Sequence, residues 1–549
     1  MSADLAPIPT RPARATAPAD HSPARQAQRP RQRPAASAGS GSAVRAALVP
    51  LLPALLALAL GCWGLTREHS MWRDEAATWQ AARRSVPGIW HLLGHVDVVH
   101  GLYYLLMHGV FALGGPGLVA LRLPSVLAVA VAAAATAATG RRLAGPWTGL
   151  AAGLVLALVP NIQHYAQEGR AYALVTAAVA VATWCLAGGA GAVREAALTG
   201  RRPRGRGWWA GYAAAMLGAA LLNWFSLAAL AGHAVTVLLA RRRGLRGVLA
   251  RWSAAAALAV AGALPLVLAS RSQAQQVSWI KPVAWTTLLG IAALVAVGFV
   301  CARVPYGRGH GSPVGYGERH AGAPGKRPAA LSVASAGLPL LVAPQATLLL
   351  ASLVRPLYLD RYVLFTNIGF ALPAGLAVAT AVRAAAARRP RLRAGALLAG
   401  VTALGFVALL PVETGLRTAQ SRADDVLRPA GAVAARAHAG DGVLFVPAAR
   451  RDTKLVSPAA FEGLDDLALR EGPVAGGTLK GVEHTPARIR AGMRAHRRLV
   501  VVTDAAPPAS RPVPAREAMK KRVLAADFTR VSSTETRGRR IEVWVRQHS

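Results

Sequence analysis

Long runs free of Asp, Glu, Lys and Arg alternate with short arginine-rich connections along most of the 549-residue chain. The first run is Ala46 to Thr66, and others follow at 98–121, 123–140, 143–167, 171–193, 207–240, 252–270, 282–302, 328–354, 362–382 and 394–412. At 1.5 Å of rise per residue, each is about long enough for a helix that crosses ~30 Å of hydrocarbon. The 207–240 run exceeds one span, has basic clusters at both ends and holds Asn223 near its middle. Its pattern predicts a hairpin of two short spans.

The two ends of the chain break this pattern. Residues 1–45 hold seven Pro and seven Arg with no apolar periodicity, which predicts a disordered basic cytoplasmic tail leading into Ala46–Thr66 as an uncleaved signal anchor. From 414 to 549 there are 24 basic and 14 acidic residues, and β-type runs at Gly442–Val446, Leu499–Thr503 and Ile541–Val545 alternate with helical stretches such as 424–438. This segment reads as a small α/β domain.

Charge then decides the topology. The chain carries 63 Lys+Arg against 25 Asp+Glu, a net charge of +38, yet only 16% of its residues are charged and 53% are hydrophobic. A soluble nucleic-acid-binding protein would spread such a charge over far more positions, so no nucleic-acid partner is expected. The balance also excludes a collagen, a disulfide scaffold, a wholly disordered chain and an ordinary cytosolic enzyme. Cys62, Cys185 and Cys301 lie in or beside apolar runs and predict no disulfide framework. If 98–121 lies in the interface rather than crossing, eleven spans put 29 basic residues inside and ten outside up to residue 412; the opposite choice inverts the positive-inside preference. The fold expected is therefore a polytopic α-helical membrane protein of about 11 transmembrane helices over 46–413, in the cytoplasmic membrane, with the amino terminus inside and the 414–549 domain extracytoplasmic. Seven of the eleven carboxylates before residue 414 then face outward: Glu68, Asp74, Glu75, Asp97, Glu168, Asp360 and Glu413.

Candidate chemistry concentrates in those outer loops. The loop 67–122 contains Arg73-Asp74-Glu75, where one carboxylate can serve as general base and the other can orient the site, or Arg73 simply neutralises the pair. The same loop holds Asp97, His100, Tyr103, Tyr104 and His108 in an apolar stretch that suits an interfacial amphipathic helix. Their spacing matches no closed metal site, and no metal is expected. In Tyr165-Ala-Gln-Glu168-Gly-Arg170-Ala-Tyr172, Glu168 and Arg170 either pair with each other or face one cavity with Asp74. Arg361, flanked by Asp360 and Tyr362, carries the planar donor fork that a phosphate needs, and Lys281 beside Trp279 is a weaker candidate for that role.

Taken in order, Asp74-Glu75, His100-x-x-Tyr103-Tyr104, Arg122-Leu-Pro124-Ser125, Tyr165-Ala-Gln167-Glu168-x-Arg170-x-Tyr172 and Arg361-Tyr362 resemble the polyprenyl-phosphate-sugar-dependent GT-C glycosyltransferases. Among them the chain looks most like the bacterial family 39 type, relatives of protein O-mannosyltransferases and of the lipid A aminoarabinose transferase. It differs in having Gly101-Leu102 where such enzymes often carry Pro-Pro, and Ala171 where they often carry Pro. The resemblance implies an inverting hexosyl or pentosyl transferase without a nucleotide cofactor. A polyprenyl-phosphate sugar (mannose or a similar hexose or pentose) would enter from the membrane, and a glycan, lipid or protein hydroxyl would accept the sugar. Asp74 would act as the base and Glu75 beside it, Arg361 with Arg170 or Lys281 would hold the phosphate, and Glu168, His100, Tyr103, Tyr104 and Tyr362 would bind substrate. A transporter or flippase of a lipid-linked glycan is the alternative, but it would place ionisable residues at the bilayer midplane and show internal repeats. Here the charges sit at span ends and no repeat is found.

Overall fold

The computed structural model describes residues 38–202, 205–273, 275, 279–304, 331–389, 391–506 and 513–547, with only the backbone for 38–46. Residues 1–37 of the expected tail and most of the 303–327 connection lie outside the described residues. Ala46–Ser549 forms one compact unit. The first helix, α1 (Ala38–Cys62), starts eight residues before the expected Ala46, so the last residues of the expected disordered tail are helical.

Three short helices follow, α2 (Arg73–Ala82), α3 (Val86–Leu93) and α4 (Gly101–Gly114). The 14 residues of α4 make about 21 Å of helix, too short to cross the hydrocarbon. The remaining bundle comprises α5 (Leu118–Ala144), α6 (Pro146–Leu158), α7 (Pro160–Ala166), α8 (Tyr172–Thr199), α9 (Arg206–Leu222), α10 (Ala229–Arg242), α11 (Val248–Ser272), α12 (Trp285–Ala302), α13 (Val333–Val354), α14 (Thr366–Arg388) and α15 (Ala394–Leu416). The run 143–167, expected as one span, is broken into α6 and α7 because Pro160 forces Val159 into extended backbone (ψ 119°). The expected hairpin in 207–240 breaks at Asn223, whose side chain accepts a hydrogen bond from the Phe225 amide at 3.1 Å and caps the next turn.

Among the described residues, eight helices are long and apolar enough to cross a membrane, and Ala47–Cys62, Val98–Gly114 and Pro146–Leu158 are shorter apolar helices. In α12 and α15 only 6% of the apolar window is covered by protein, as expected of helices whose apolar sides face lipid. The inner helices approach closely through small residues: a methyl group on Gly375 of α14 would collide with the Ala152 backbone of α6. The protein is a polytopic helical membrane protein.

The terminal segment folds around a mixed sheet. Its strands are β1 (Gly442–Val446), β2 (Asp465–Asp466), β3 (Leu469–Glu471), β4 (Val482–Glu483), β5 (Arg498–Asp504), β6 (Phe528–Thr536) and β7 (Arg539–Arg546). The five-stranded order is β2-β1-β5-β7-β6, with β1 parallel to β2 and β5, and β7 antiparallel to β5 and β6; β3 and β4 form a separate pair. Helices α16 (Arg428–Ala434), α17 (Asp452–Val456), α18 (Pro486–Ala495) and α19 (Ala515–Asp527) complete the domain. Alternation in β1 sends Leu444 and Val446 toward Ile489 of α18 and Val523 of α19, and Val443 and Phe445 toward Val433 and Phe461 on the other face. The helix expected over 424–438 is only α16, since residues 419–426 are drawn into contacts with the bundle described below.

Candidate active site

Helix α2 begins just after Trp72, which is extended, and Asp74 and Glu75 occupy its first turn, where the helix dipole favours carboxylates. Successive residues on a helix point about 100° apart, so the two acids meet different surroundings. Glu75 is fully buried. Its Oε1 accepts from Arg122 Nε at 2.7 Å and from the Gly169 amide at 3.0 Å, while Oε2 accepts from Arg122 Nη2 at 2.8 Å and pairs with Arg67. Arg122 in turn reaches the Leu65 and Ser70 carbonyls at 2.7 and 2.5 Å. Two guanidinium groups and the Gly169 amide hold the Glu75 carboxyl far below the ordinary carboxylate range, against the opposing effect of burial. The sequence placed Glu75 in the catalytic pair; its saturated oxygens make it instead the clamp that joins the turn after α1, the start of α5 and the loop before α8. That turn needs a clamp: Arg67, Glu68 and His69 all have left-handed backbone, with φ of 48°, 54° and 57°.

Asp74 is only partly covered, and among the described residues no donor hydrogen-bonds to its carboxylate. Burial raises its pKa, with Arg170 and Arg361 pulling the other way. Arg170 donates from Nη1 to the Asp74 carbonyl at 3.4 Å and from Nη2 to His100 Nε2 at 2.8 Å, leaving Nε buried and unpartnered. Arg361 lies in a short helical turn, Asp360–Val363, and also keeps a buried Nε without a partner. Its guanidinium carbon sits 5.7 Å from the Tyr172 ring centre, 5.4 Å from Trp279 and 5.9 Å from Tyr362. Unfilled donors and acceptors continue around this point: among the described residues, His100 Nδ1, Tyr103 Oη and Glu168 Oε2 are all buried without a hydrogen-bond partner. Buried polar groups are rarely left so, and five in one neighbourhood mark a place for a polar ligand.

The aromatic side of the site is a continuous row. Tyr165 meets Tyr172 edge-on at 5.6 Å, Tyr172 leads to Tyr362 at 6.3 Å, Tyr362 stacks on Phe225 at 4.5 Å and 12°, and Phe225 stacks on Trp224 at 4.2 Å. Phe225 and Trp224 come from the break at Asn223, so the hairpin turn in 207–240 serves the site.

The profile of the dolichyl-phosphate-mannose-protein mannosyltransferase family matches residues 102–269, which contain Tyr103, Tyr104, Glu168 and Arg170. Two solved structures share the fold. ArnT from Cupriavidus metallidurans, bound to undecaprenyl phosphate, aligns with a TM-score of 0.52 at 14% identity over 92% of this chain and 98% of its own. ArnT in the apo state aligns with a TM-score of 0.54 at 15% identity over the same shares. The chain has the fold of these ArnT structures. No curated protein matches the sequence.

Within this fold, the structure brings Asp74, His100, Arg170 and Arg361 together with Tyr103 and Tyr362. Tyr104 is adjacent but turned to Asp97, to whose Oδ2 it donates at 2.7 Å. Glu168 does not pair with Arg170: its Oε1 lies 2.8 Å from Arg422 Nε and 3.3 Å from His164 Nε2. Asp360 accepts from Tyr165 Oη at 3.2 Å on both oxygens instead of pairing with Arg361. Lys281 is exposed, and what reaches Arg361 from its loop is Trp279. Among the described residues no three His, Cys, Asp or Glu side chains cluster as metal ligands. Arg67 and Arg422 were not legible as partners of the two glutamates, because Arg67 meets Glu75 only through the left-handed turn at 67–69 and Arg422 lies 254 positions from Glu168, and Trp224 and Phe225 had no signal but Asn223 interrupting an apolar run.

Proposed function

We propose that the protein moves a sugar from a polyprenyl-phosphate donor to an acceptor hydroxyl on the outer face of the cytoplasmic membrane, with inversion at the anomeric carbon. The observation that carries this reading is the unpartnered Asp74 carboxylate beside two guanidinium groups, Arg170 and Arg361, with unfilled hydrogen-bonding capacity. ArnT, which has the same fold, was solved with undecaprenyl phosphate bound. In the proposed step Asp74 takes the acceptor hydroxyl proton, the oxygen attacks the anomeric carbon, and the bond from that carbon to the phosphate oxygen breaks. Polyprenyl phosphate leaves with its charge facing Arg361 and Arg170, which act best where developing negative charge meets preorganised donors. Trp279, Tyr172 and Tyr362 surround the Arg361 guanidinium, and Glu168, His100 and Tyr103 orient sugar or acceptor. With the phosphate charge met by two arginines, no metal is proposed. The site lies outside in the proposed topology, with the amino terminus inside, because that arrangement keeps most arginines of the connections inside.

The test is sugar transfer by purified protein in lipid, with radiolabelled undecaprenyl-phosphate mannose and undecaprenyl-phosphate arabinose as donors and cell-envelope extract as acceptor. Transfer that Asp74→Asn abolishes and EDTA leaves intact is expected. Equal turnover by wild type and Asp74→Asn removes Asp74 from the mechanism, and no turnover with either donor favours transport of a lipid-linked glycan.

A further inference from the structure

The first amides of a helix have no partner within it and are normally met by a neighbouring side chain of the N-cap residue. In α2 the N-cap is Trp72, which supplies no such bond. Glu75 Oε2 accepts from the Trp72 amide at 3.4 Å, but the flanking amides are met from more than 350 residues away: Asp424 Oδ1 accepts from the Arg73 amide at 3.1 Å, and Asp425 Oδ1 accepts from the Met71 amide, just before the helix, at 3.2 Å. The Val426 amide returns a hydrogen bond to the Met71 carbonyl at 2.7 Å. Both aspartates are buried, at 4% and 0% exposure, so these bonds are not diluted by water.

The terminal domain fixes this segment from the other side. Arg539, at the start of β7, donates to Asp424 Oδ2 at 2.9 Å and to Asp452 Oδ2 at 2.9 Å. Arg537 in the β6–β7 turn donates to the Arg422 carbonyl at 2.9 Å, and its own carbonyl accepts from the Asp425 amide at 3.1 Å. Two residues before Asp424, Arg422 carries the ion pair to Glu168. One stretch of eight residues therefore touches both backbone segments that supply the site, α2 and the loop holding Glu168 and Arg170.

We propose that Ala419–Val426 is a strap through which the terminal domain positions Asp74, with Asp424 as the positioning residue. Arg73 immediately precedes Asp74, and neighbouring Cα atoms are about 3.8 Å apart, so displacing the Arg73 amide displaces the carboxylate with it. Errors near 1 Å in such a group cost about 10²-fold in rate. The inference rests on the reading of Asp74 as base.

The test uses full-length protein in lipid with undecaprenyl-phosphate mannose and undecaprenyl-phosphate arabinose as donors, comparing Asp424→Ala, Asp424→Asn, Arg73→Pro and Asp74→Asn. Proline suits the first helical position and accepts the extended Trp72 before it (φ −96°, ψ 165°), so Arg73→Pro removes the donor amide without breaking the helix and serves if Asp424→Ala does not fold. Asp424→Ala and Arg73→Pro are expected to lower kcat at least about tenfold, with donor KM within about twofold. Amide exchange over α2 should quicken about tenfold while that of β1 and β5 stays as in wild type. Asp424→Asn, which keeps an acceptor for the Arg73 amide, should recover about a third or more of kcat. Wild-type kcat in Asp424→Ala and Arg73→Pro alongside a silent Asp74→Asn overturns the strap alone. An effect confined to KM, or Asp424→Asn no better than Asp424→Ala, also overturns it. Full turnover by Asp74→Asn removes the base and the strap together.

Discussion

Arg170 Nη2 lies 2.8 Å from Nε2 of His100. A guanidinium only donates, so Nε2 must carry the lone pair and the ring proton sits on Nδ1, which is buried with no partner. Burial and the charges of Arg170 and Arg361 hold this imidazole well below its ordinary range. The expected outcome is a pH–rate profile without a histidine ionisation between about 6 and 8. His100→Gln, which keeps an acceptor toward Arg170, should retain far more activity than His100→Leu. A limb near 6.5 that disappears in His100→Gln would contradict this assignment.

Asp74 is the opposite case. Its pKa is raised by burial and restrained by Arg170 and Arg361. A base must be deprotonated, so the rate falls as pH drops through the raised value. Removing a restraining charge with Arg361→Gln should raise that value further and move the acid limb of kcat to higher pH. The direction of the limb, measured in both proteins, is the check. Asp74→Asn should lower kcat by about 10²–10⁴-fold at every pH.

Glu75 contributes to stability. Cutting one side of a buried, paired charge costs about 3–5 kcal/mol, so Glu75→Gln should lower the thermal midpoint sharply by stranding Arg67 and Arg122. The folded-state pKa is depressed, so this stabilisation is complete above the unfolded value of about 4.3 and is lost as pH falls toward the folded one. Thermal unfolding from pH 7 downward in wild type and Glu75→Gln measures it: the gap between them should narrow only in acid.

The ring contacts of Arg361 make lysine a poor substitute. Arg361→Lys keeps the charge but loses the planar guanidinium near Trp279, Tyr172 and Tyr362 and the paired phosphate donors. Undecaprenyl phosphate should bind roughly tenfold more weakly, as read by titration in detergent, with the thermal midpoint little changed. Unchanged affinity would remove Arg361 from the phosphate site.

Much of the fold was legible in the chain. The apolar runs became helices near their expected places, the hairpin turned at Asn223, and β1, β5 and β7 cover the expected strand runs. The helix expected over 424–438 shrank to α16 because Asp424 and Asp425 are engaged by the Arg73 and Met71 amides at the start of α2. The site was legible as residue types on a few loops. Its pairings were not: Glu168 joins Arg422 instead of Arg170, and Asp360 joins Tyr165 instead of Arg361.

By itself, the sequence determined which segments enter lipid, because hydrocarbon offers nothing to solvate a charge and every span must be written as a long uncharged run. It also placed most carboxylates and arginines at or near the ends of the spans, which is where the proposed chemistry lies. Only the tertiary structure decided which of two adjacent acids is free to act. Asp74 and Glu75 are one residue apart and chemically near-equal, but helical rotation turns Glu75 into Arg67 and Arg122 and leaves Asp74 without a donor. That difference depends on partners up to 94 positions away for Glu75 and some 350 for the start of its helix, which no local pattern contains.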